Sequence, residues 1–367
     1  MKNEVEILRD LVEIPSVSSL SNVPIVNYAL QFLQGWEIDR YPYTDPARTA
    51  KVNVVAMTRR AREAELTFVC HTDTVPFDPG WADAVRPRIA KGRLYGRGSA
   101  DVKGFLACVL SAVSQTPINE LTKPLAIVLT ADEEIGCVGA KYLARKKALR
   151  SRNTIVGEPT DLHPVRAGKG YALAEIVVYG KEAHSAFPEH GRSAIFDAAR
   201  VVTALERVAR KLASRRNRDF DPPYTTLNAG MIKGGSAKNI IPGECRITVE
   251  WRPIPGHDPD WAAGLIREEL ARLARQGVQA DLDVKRLDPP FNPSPARHLC
   301  SLLESLSSRP AKTVSFGTEA AHLPGKETVV FGPGDMTVAH KSGENVPIAD
   351  LEKCVAYLRA AIGRLCA

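Results

Sequence analysis

The chain has 367 residues, of which 44% are hydrophobic and 25% charged, an ordinary globular composition with enough length for two domains. Its start has no apolar core of signal-peptide length and no stretch approaches a membrane span, so we expect neither a secretory signal nor a membrane protein. The seven cysteines are scattered and include no C-x-x-C pair, which argues against a disulfide framework and a thiolate zinc site and favours the reducing cytoplasm.

The formal net charge of +7 reflects basic clusters at residues 145–152 and 207–218. A nucleic-acid surface would interleave such charges with aromatic residues or carry a recognisable binding motif, and neither is present. We therefore expect solvated helix faces and no nucleic-acid partner. An acidic protein partner remains the alternative.

The first part of the chain predicts two helices followed by two strands. Apolar spacing suits amphipathic helices at residues 3–13 and 24–34, and the stretch 15–22 between them is rich in turn residues. The strands are predicted at residues 51–57 and 66–71.

The second of these strands lies in LTFVCHTDTVP, residues 66–76, and ends at polar residues. Its apolar run is typical of a strand covered on both faces of a mostly parallel sheet, and ligands gather beyond the carboxyl ends of such strands. His71 can bind a metal through one ring nitrogen while Asp73 accepts the other ring N–H. Alone, the pattern also fits a turn aspartate beside a structural histidine.

Asp101 lies in the glycine-rich GRLYGRGSADVKG, residues 92–104, just before a helix predicted at 105–113. A helix-capping role is therefore its simplest alternative. Further along, a buried strand at 125–130 leads into Glu133 and Glu134. Adjacent glutamates at a strand end are costly unless a cation or a proton separates their roles.

A third apolar run, TIVGEPT, ends in Glu158. From about residue 167 the order of elements becomes β-α-β-β-α-β, the split βαβ pattern of a ferredoxin-like domain. We interpret residues 167–287 as an inserted domain, within a catalytic domain formed by residues 1–166 and 288–367. The inserted strands are predicted at 171–180, 225–232, 244–252 and 278–286, and its helices at 193–213 and 260–275.

After the insertion, a strand at 328–331 precedes GPGDMTVAHKSGENVP, which contains His340, and a closing helix at 349–361. The groups collected at strand ends are all oxygen or imidazole donors. Such donors suit zinc, cobalt or manganese in a hydrolytic site. The set comprises His71, Asp101, Glu133, Glu134, Glu158 and His340.

With these motifs the sequence resembles the dinuclear zinc deacylase and exopeptidase family, which includes acetylornithine deacetylase, succinyl-diaminopimelate desuccinylase and aminoacylase. The resemblance spans nearly the whole chain and implies an α/β fold: a metallopeptidase-like catalytic domain with a mostly parallel central sheet, plus an inserted α+β lid and dimerisation domain. It also implies two divalent metal ions, zinc or else cobalt. The motifs are HTDTVP, GRGSADVKG, DEEIG, GEPT, HSA, NIIP, FGTEA and GPGDMTVAHKSGEN.

The resemblance further implies a role for each polar group in the catalytic domain. Asp101 would bridge the metals, with His71 and Glu158 completing one site and Glu134 and His340 the other. Glu133 would be the general base and Asp73 the partner of the His71 ring.

In the inserted domain, His184 resembles the family histidine that reaches the reacting carbonyl across a dimer, with a buried structural histidine as the alternative. Arg252 and Asn239 resemble the residues that bind the substrate α-carboxylate, and Gly317 and Thr318 offer further donors. A surface salt bridge is the alternative for Arg252. Glu319 fits either recognition of a cationic side chain or a helix cap.

The pairing of FGTEA with GPGD resembles the acetylornithine branch more than the desuccinylase branch, which implies release of L-ornithine and acetate from N2-acetyl-L-ornithine in arginine biosynthesis. We also expect a cytoplasmic protein that forms a homodimer through the inserted domain. N-acetylcitrulline, succinyl-diaminopimelate and a lysine or ornithine held on an acidic carrier protein are alternative substrates. A dipeptidase or carboxypeptidase would use the same metal chemistry. A non-catalytic binding protein would be expected to have lost a ligand or the base, and the sequence retains them all.

Overall fold

The computed structural model describes residues 2–323 and 325–367, which form two compact units. The first unit contains the chain up to Arg166, then Pro293–Lys312, and the chain from His322 onwards. The second contains Ala167–Asn292 and Thr313–Ala321. The short segment with Gly317 and Thr318 thus belongs to the second unit, whereas the sequence pattern groups it with the first.

The helices and strands follow the predicted order, with several additional short strands. The helices are α1 (Glu4–Glu13), α2 (Val23–Leu30), α3 (Lys103–Ser114), α4 (Val138–Lys146), α5 (Ala194–Ala213), α6 (Trp261–Ala274), α7 (His298–Ser307) and α8 (Ile348–Leu365). The strands up to the second unit are β1 (Glu37–Thr44), β2 (Ala50–Met57), β3 (Ala64–His71), β4 (Arg88–Ala90), β5 (Arg93–Tyr95), β6 (Leu125–Thr130) and β7 (Ser151–Gly157). The remaining strands are β8 (Val165–Gly168), β9 (Tyr171–Tyr179), β10 (Ala183–His184), β11 (Thr226–Gly234), β12 (Ile240–Ile241), β13 (Glu244–Arg252), β14 (Gln279–Asp288), β15 (Lys312–Val314), β16 (Glu327–Phe331) and β17 (Asn345–Pro347).

The first unit is built on a sheet in which strands run in the order β1-β2-β6-β3-β7-β16. The four strands β6, β3, β7 and β16 are parallel, while β1 and β2 are antiparallel to their neighbours. All six residues of β6 are buried, as expected for a strand covered on both faces. Because parallel strands point the same way, their carboxyl ends share one edge of the sheet.

Helices α1, α3 and α8 pack together around the core of this unit. Asn3 begins α1 with a capping box, since its side chain accepts from the Glu6 amide and the Glu6 side chain accepts from the Asn3 amide. In α3, the residues from Lys103 to Val113 are all buried, so this helix lies inside the unit. It begins two residues after Asp101 and thereby anchors the glycine-rich loop.

The second unit is an antiparallel sheet in the order β11-β13-β9-β14 with helices α5 and α6. Alternate residues of β9, among them Ala174, Ile176 and Val178, are buried in its core with Trp251 of β13. This is the predicted β-α-β-β-α-β arrangement, and the α/β fold class is confirmed.

The structure departs from the prediction at element ends and in elements that were not predicted, such as helix α4. α2 ends at Leu30 rather than residue 34, and α8 continues to Leu365 rather than 361. β1 was not predicted, because its half-exposed sequence EIDRYPYT has little apolar character.

No helix within residues 2–323 and 325–367 is long and apolar enough to cross a membrane. All seven cysteines are buried and none forms a disulfide in the described chain.

Candidate metal centre

Polar residues gather where the parallel strands of the first unit end. His71 is the last residue of β3, and Glu158 directly follows β7. Glu133 and Glu134 lie on the turn that follows β6. Three separate strands therefore deliver these groups to one edge of the sheet, as the sequence predicts.

Asp101 lies between two histidine rings. Its Oδ1 is 3.1 Å from Nε2 of His71, and its Oδ2 is 3.2 Å from Nε2 of His340. The same His340 nitrogen is 3.1 Å from Oε2 of Glu134. Each oxygen of one carboxylate thus faces a different imidazole, an arrangement suited to bridging two cations. The ligand atoms of His71, Asp101 and Glu134 all lie within 4.8 Å of one another.

The ionisation of these groups reflects their close contact. Burial disfavours a charged His71 ring, but its hydrogen bond to Asp101 and the charge of Glu133 raise its pKa well above the usual value. Hydrogen bonds from His340 to Asp101 and Glu134 raise the pKa of His340 to about 10. Burial opposes ionisation of Asp101, yet the two histidines hold its pKa well below the usual range.

The two remaining proposed ligands, Glu134 and Glu158, have raised pKa values. Burial, followed by repulsion from Asp101, raises the pKa of Glu134, and the same causes together with Glu133 raise the pKa of Glu158 well above its usual range. Oε1 of Glu134 is buried and has no hydrogen-bond partner among the described residues. Crowded anions and an unpaired buried oxygen are what a cation site requires, so the residues fit divalent metal ions.

Asp73 holds the turn that carries the two glutamates. Its Oδ1 accepts the Glu133 amide at 3.0 Å and its Oδ2 accepts the Glu134 amide at 3.2 Å. The His71 Nδ1 lies 3.1 Å from the backbone carbonyl oxygen of Asp73, but 3.7 Å from its Oδ1. The main chain of Asp73 therefore orients the ring, a role that the sequence interpretation assigned to its carboxylate, because the carboxylate is directed at the turn.

Two further residues that support the site, Cys137 and Glu344, had not been predicted. The Cys137 thiol donates to Oε1 of Glu133 at 3.3 Å. Glu344 is buried and accepts the amides of Ala100 and Asp101 at 3.0 and 3.1 Å, while Arg97 donates to its other oxygen at 2.6 Å. Glu344 thus supports the Asp101 backbone. Its position four residues after His340, in the same motif, was the available sequence signal.

In the second unit, strand pairing brings His184 and Asn239 into neighbouring positions. β10 pairs with β12, and the amide of Ser185 donates to the carbonyl of Asn239 at 3.0 Å. The exposed His184 ring accepts the Ala186 amide at 3.0 Å through Nδ1, so the ring is not a buried structural one. Its Nε2 therefore carries the ring proton in the neutral form.

The other predicted residues of the second unit lie on β13 and on the segment after β15. The guanidinium of Arg252 lies 4.3 Å from the centre of the Tyr171 ring, and 3.6 Å from Oε2 of Glu250. The cation-π contact and the ion pair hold the guanidinium beside Tyr171 and Glu250. Gly317 and Thr318 lie just before a short 3-10 turn that contains the buried Glu319.

Comparison with known proteins assigns a family. The model for peptidase family M20/M25/M40 matches residues 67–364. An acetylornithine deacetylase from Myxococcus xanthus is 46% identical, over 98% of this chain and 96% of its own. The structure of aminopeptidase PepT from Bacillus cereus ATCC 10987 has a TM-score of 0.78 at 22% identity, covering 99% of this chain and 98% of that one. The YXEP protein of Bacillus subtilis, described as a dinuclear metal-binding peptidase, has a TM-score of 0.70 at 14% identity, with coverages of 99% and 97%.

Proposed function

Because the chain belongs to peptidase family M20/M25/M40, we propose that it is a metal-dependent amide hydrolase that converts N2-acetyl-L-ornithine into L-ornithine and acetate. The observation that carries the proposal is Asp101, whose two oxygens face the nitrogens of His71 and His340. A deacetylase with 46% identity over almost the full length supports the substrate.

We propose that two divalent ions bind here, zinc in preference to cobalt. Asp101 would bridge them, His71 and Glu158 would complete one site, and Glu134 and His340 the other. The contacts of Asp101 with His71 and His340 support this assignment, as does the Glu134 oxygen that has no hydrogen-bond partner among the described residues. When bound, such ions would acidify water and polarise the amide carbonyl.

The protein's own part of the reaction is proton transfer. Glu133 would accept a proton from the attacking water and deliver it to the nitrogen of the leaving ornithine as the amide bond breaks. For this it must point at the water rather than bind metal. The contacts that fix its orientation are the Asp73 carboxylate at its amide and the Cys137 thiol at Oε1.

We propose that the second unit is a lid and dimerisation domain that recognises the substrate. Arg252 and Asn239, with donors from Gly317 and Thr318, would bind the α-carboxylate, for which a guanidinium is well suited. His184 from the other subunit would stabilise the oxyanion by donating from Nε2. Nε2 is available for this because Nδ1 accepts the Ala186 amide. In addition, Glu319 would pair with the cationic ornithine side chain.

A homodimer formed through the second unit is supported by exposed apolar residues. Phe196, in the first turn of α5, is 77% exposed, and Met231 and Ile232 of the edge strand β11 are 67% and 57% exposed. An edge strand has free backbone hydrogen-bonding groups, and with exposed apolar side chains it is suited to pairing with the same strand of a second copy. We also propose a cytoplasmic location, since the seven cysteines are buried and form no disulfide in the described chain.

The test is a substrate panel with the metal-stripped protein reloaded with zinc or cobalt. N2-acetylornithine should be hydrolysed faster than acetylcitrulline, acetylmethionine, succinyl-diaminopimelate and dipeptides. Glu133→Ala should abolish turnover, whereas Glu352→Ala, an exposed glutamate of α8, should not. Absence of turnover at every metal loading, or full activity in Glu133→Ala, would refute the proposal.

A further inference from the structure

A buried lysine contacts the turn that follows β6 and carries Glu133 and Glu134. Lys51 of β2 is only 1% exposed, and its ammonium donates to the carbonyls of Ser18 and Leu20 at 2.5 and 2.8 Å and to Oδ1 of Asp132 at 2.7 Å. An ammonium has three N–H donors, and these three acceptors use all of them. Because every N–H of the ammonium is hydrogen-bonded, the free-energy cost of burying its charge is reduced and its position is fixed.

Asp132, which accepts from Lys51, directly precedes the proposed general base Glu133. Asp132 has a φ of +59°, in the left-handed region that residues with a Cβ rarely adopt. Its carboxylate is held on both sides, by Lys51 at Oδ1 and by the hydroxyl of Tyr43 at Oδ2, 2.7 Å away. The turn from β6 to Glu133 therefore depends on contacts that hold Asp132 in this conformation.

A second residue of β2 contacts the same turn. Oδ1 of Asn53 accepts the amide of Ala131 at 2.9 Å. Lys51 and Asn53 are two residues apart, so their side chains emerge on the same face of the strand. β2 thus holds the turn at both its backbone and the Asp132 side chain.

Asp73 binds the amides of Glu133 and Glu134 on the opposite side of the turn. Ser18 contacts both Asp73 and Lys51. The Ser18 hydroxyl donates to Oδ2 of Asp73 at 2.7 Å, while its carbonyl accepts from Lys51. The turn-rich stretch at residues 15–22, which the sequence predicts only as a connection between helices, therefore contributes to this network.

We propose that Lys51 and Asp132, assisted by Tyr43 and Ser18, are positioning residues for the carboxylates of Glu133 and Glu134. The ion pair fixes the direction in which the chain leaves β6, and so fixes where both glutamates lie. Its effect on proton transfer rests on the proposed function of Glu133. A purely structural ion pair would instead affect stability without changing catalysis or metal binding.

The variants Tyr43→Phe and Tyr28→Phe provide a matched test. Both remove a tyrosine hydroxyl that donates to an aspartate: Tyr43 to Asp132 at 2.7 Å, and Tyr28 to Asp10 at 2.5 Å, away from the turn. For each variant, kcat and KM are measured with N2-acetylornithine, the melting temperature is recorded, and Zn²⁺ is titrated calorimetrically into the metal-stripped protein. Lys51→Met is measured in the same way if it folds.

In Tyr43→Phe we expect kcat and Zn²⁺ affinity to fall about tenfold, because the turn that carries Glu133 and Glu134 shifts. KM should stay nearly unchanged, because the residues proposed to bind the substrate α-carboxylate do not move. Lys51→Met should lose about 100-fold in kcat. Tyr28→Phe should retain both values even if its melting temperature falls equally.

The inference is overturned if Tyr43→Phe keeps wild-type kcat and Zn²⁺ affinity, or if Tyr28→Phe loses as much of both. An inactive wild-type protein would instead count against the proposed function. In that case the Zn²⁺ titrations still decide the inference, because they need no turnover.

Discussion

The substitution Asp73→Asn tests how the carboxylate of Asp73 positions the turn that carries Glu133 and Glu134. In the wild type its two oxygens accept the amides of Glu133 and Glu134, and the hydroxyl of Ser18. Asparagine has the same shape but replaces one oxygen with an NH₂ donor. Whichever way the side-chain amide is oriented, one of the two backbone amides faces a donor and loses its acceptor.

The magnitude follows from these contacts. A hydrogen bond to a charged acceptor contributes about 1.5 to 3 kcal/mol. We therefore expect the free energy of unfolding to fall by about that amount. If the displaced turn misplaces Glu133 in the transition state, each 1.4 kcal/mol costs about a factor of ten, so kcat/KM should fall by about 10- to 100-fold. The contact of the His71 ring with the Asp73 carbonyl at 3.1 Å involves only main chain and is retained.

The assay combines urea denaturation of the metal-stripped protein with initial-rate kinetics of the zinc-loaded protein. Glu327→Gln is the matched control, because the buried Glu327 carboxylate also accepts two backbone amides, those of Leu299 and Cys300 at 2.8 and 2.9 Å. The control should lose similar stability and keep its kcat/KM. Equal activity losses in both variants, or an Asp73→Asn protein as active as the wild type, would refute this role of Asp73.

Three further predictions concern the base, the metal centre and the dimer. Cys137→Ala should lower kcat about threefold to tenfold by removing the hydrogen bond to Glu133, whereas Cys137→Ser, which keeps a donor, should stay near wild type; equal rates in both variants would contradict this role. At pH 7 the raised pKa values of His71 and His340 keep both rings protonated without metal, and the raised pKa of Glu158 favours its protonated form, so Zn²⁺ binding should release at least two protons and weaken as the pH falls. Calorimetry in buffers of different ionisation enthalpy measures this release, and a buffer-independent heat would contradict it. If the proposed homodimer forms through the second unit, Phe196→Asp should yield monomers in sedimentation velocity, whereas Ile89→Asp, at an exposed apolar residue of the first unit, should not. A Phe196→Asp dimer of unchanged stability would rule out this surface.

The sequence by itself determined the order of the main elements and the donor set at the strand ends. β3 and β6 could be predicted because strands covered on both faces must be continuously apolar, so the first polar residue marks where each one ends. The ferredoxin-like second unit could be predicted because alternation and helical spacing are local properties of the chain. The motifs that carry the family resemblance also depend on neighbouring residues alone.

Only the tertiary structure decided how these groups contact one another. Asp101 and His340 are far apart in sequence, yet the opposite oxygens of Asp101 face His71 and His340 because α3 anchors the glycine-rich loop beneath the sheet edge. The same is true of Lys51, which in the sequence is one of two polar residues in an otherwise apolar strand. Its role appears only where β2 lies beside β6, because the acceptors that make a buried ammonium tolerable come from separate chain segments.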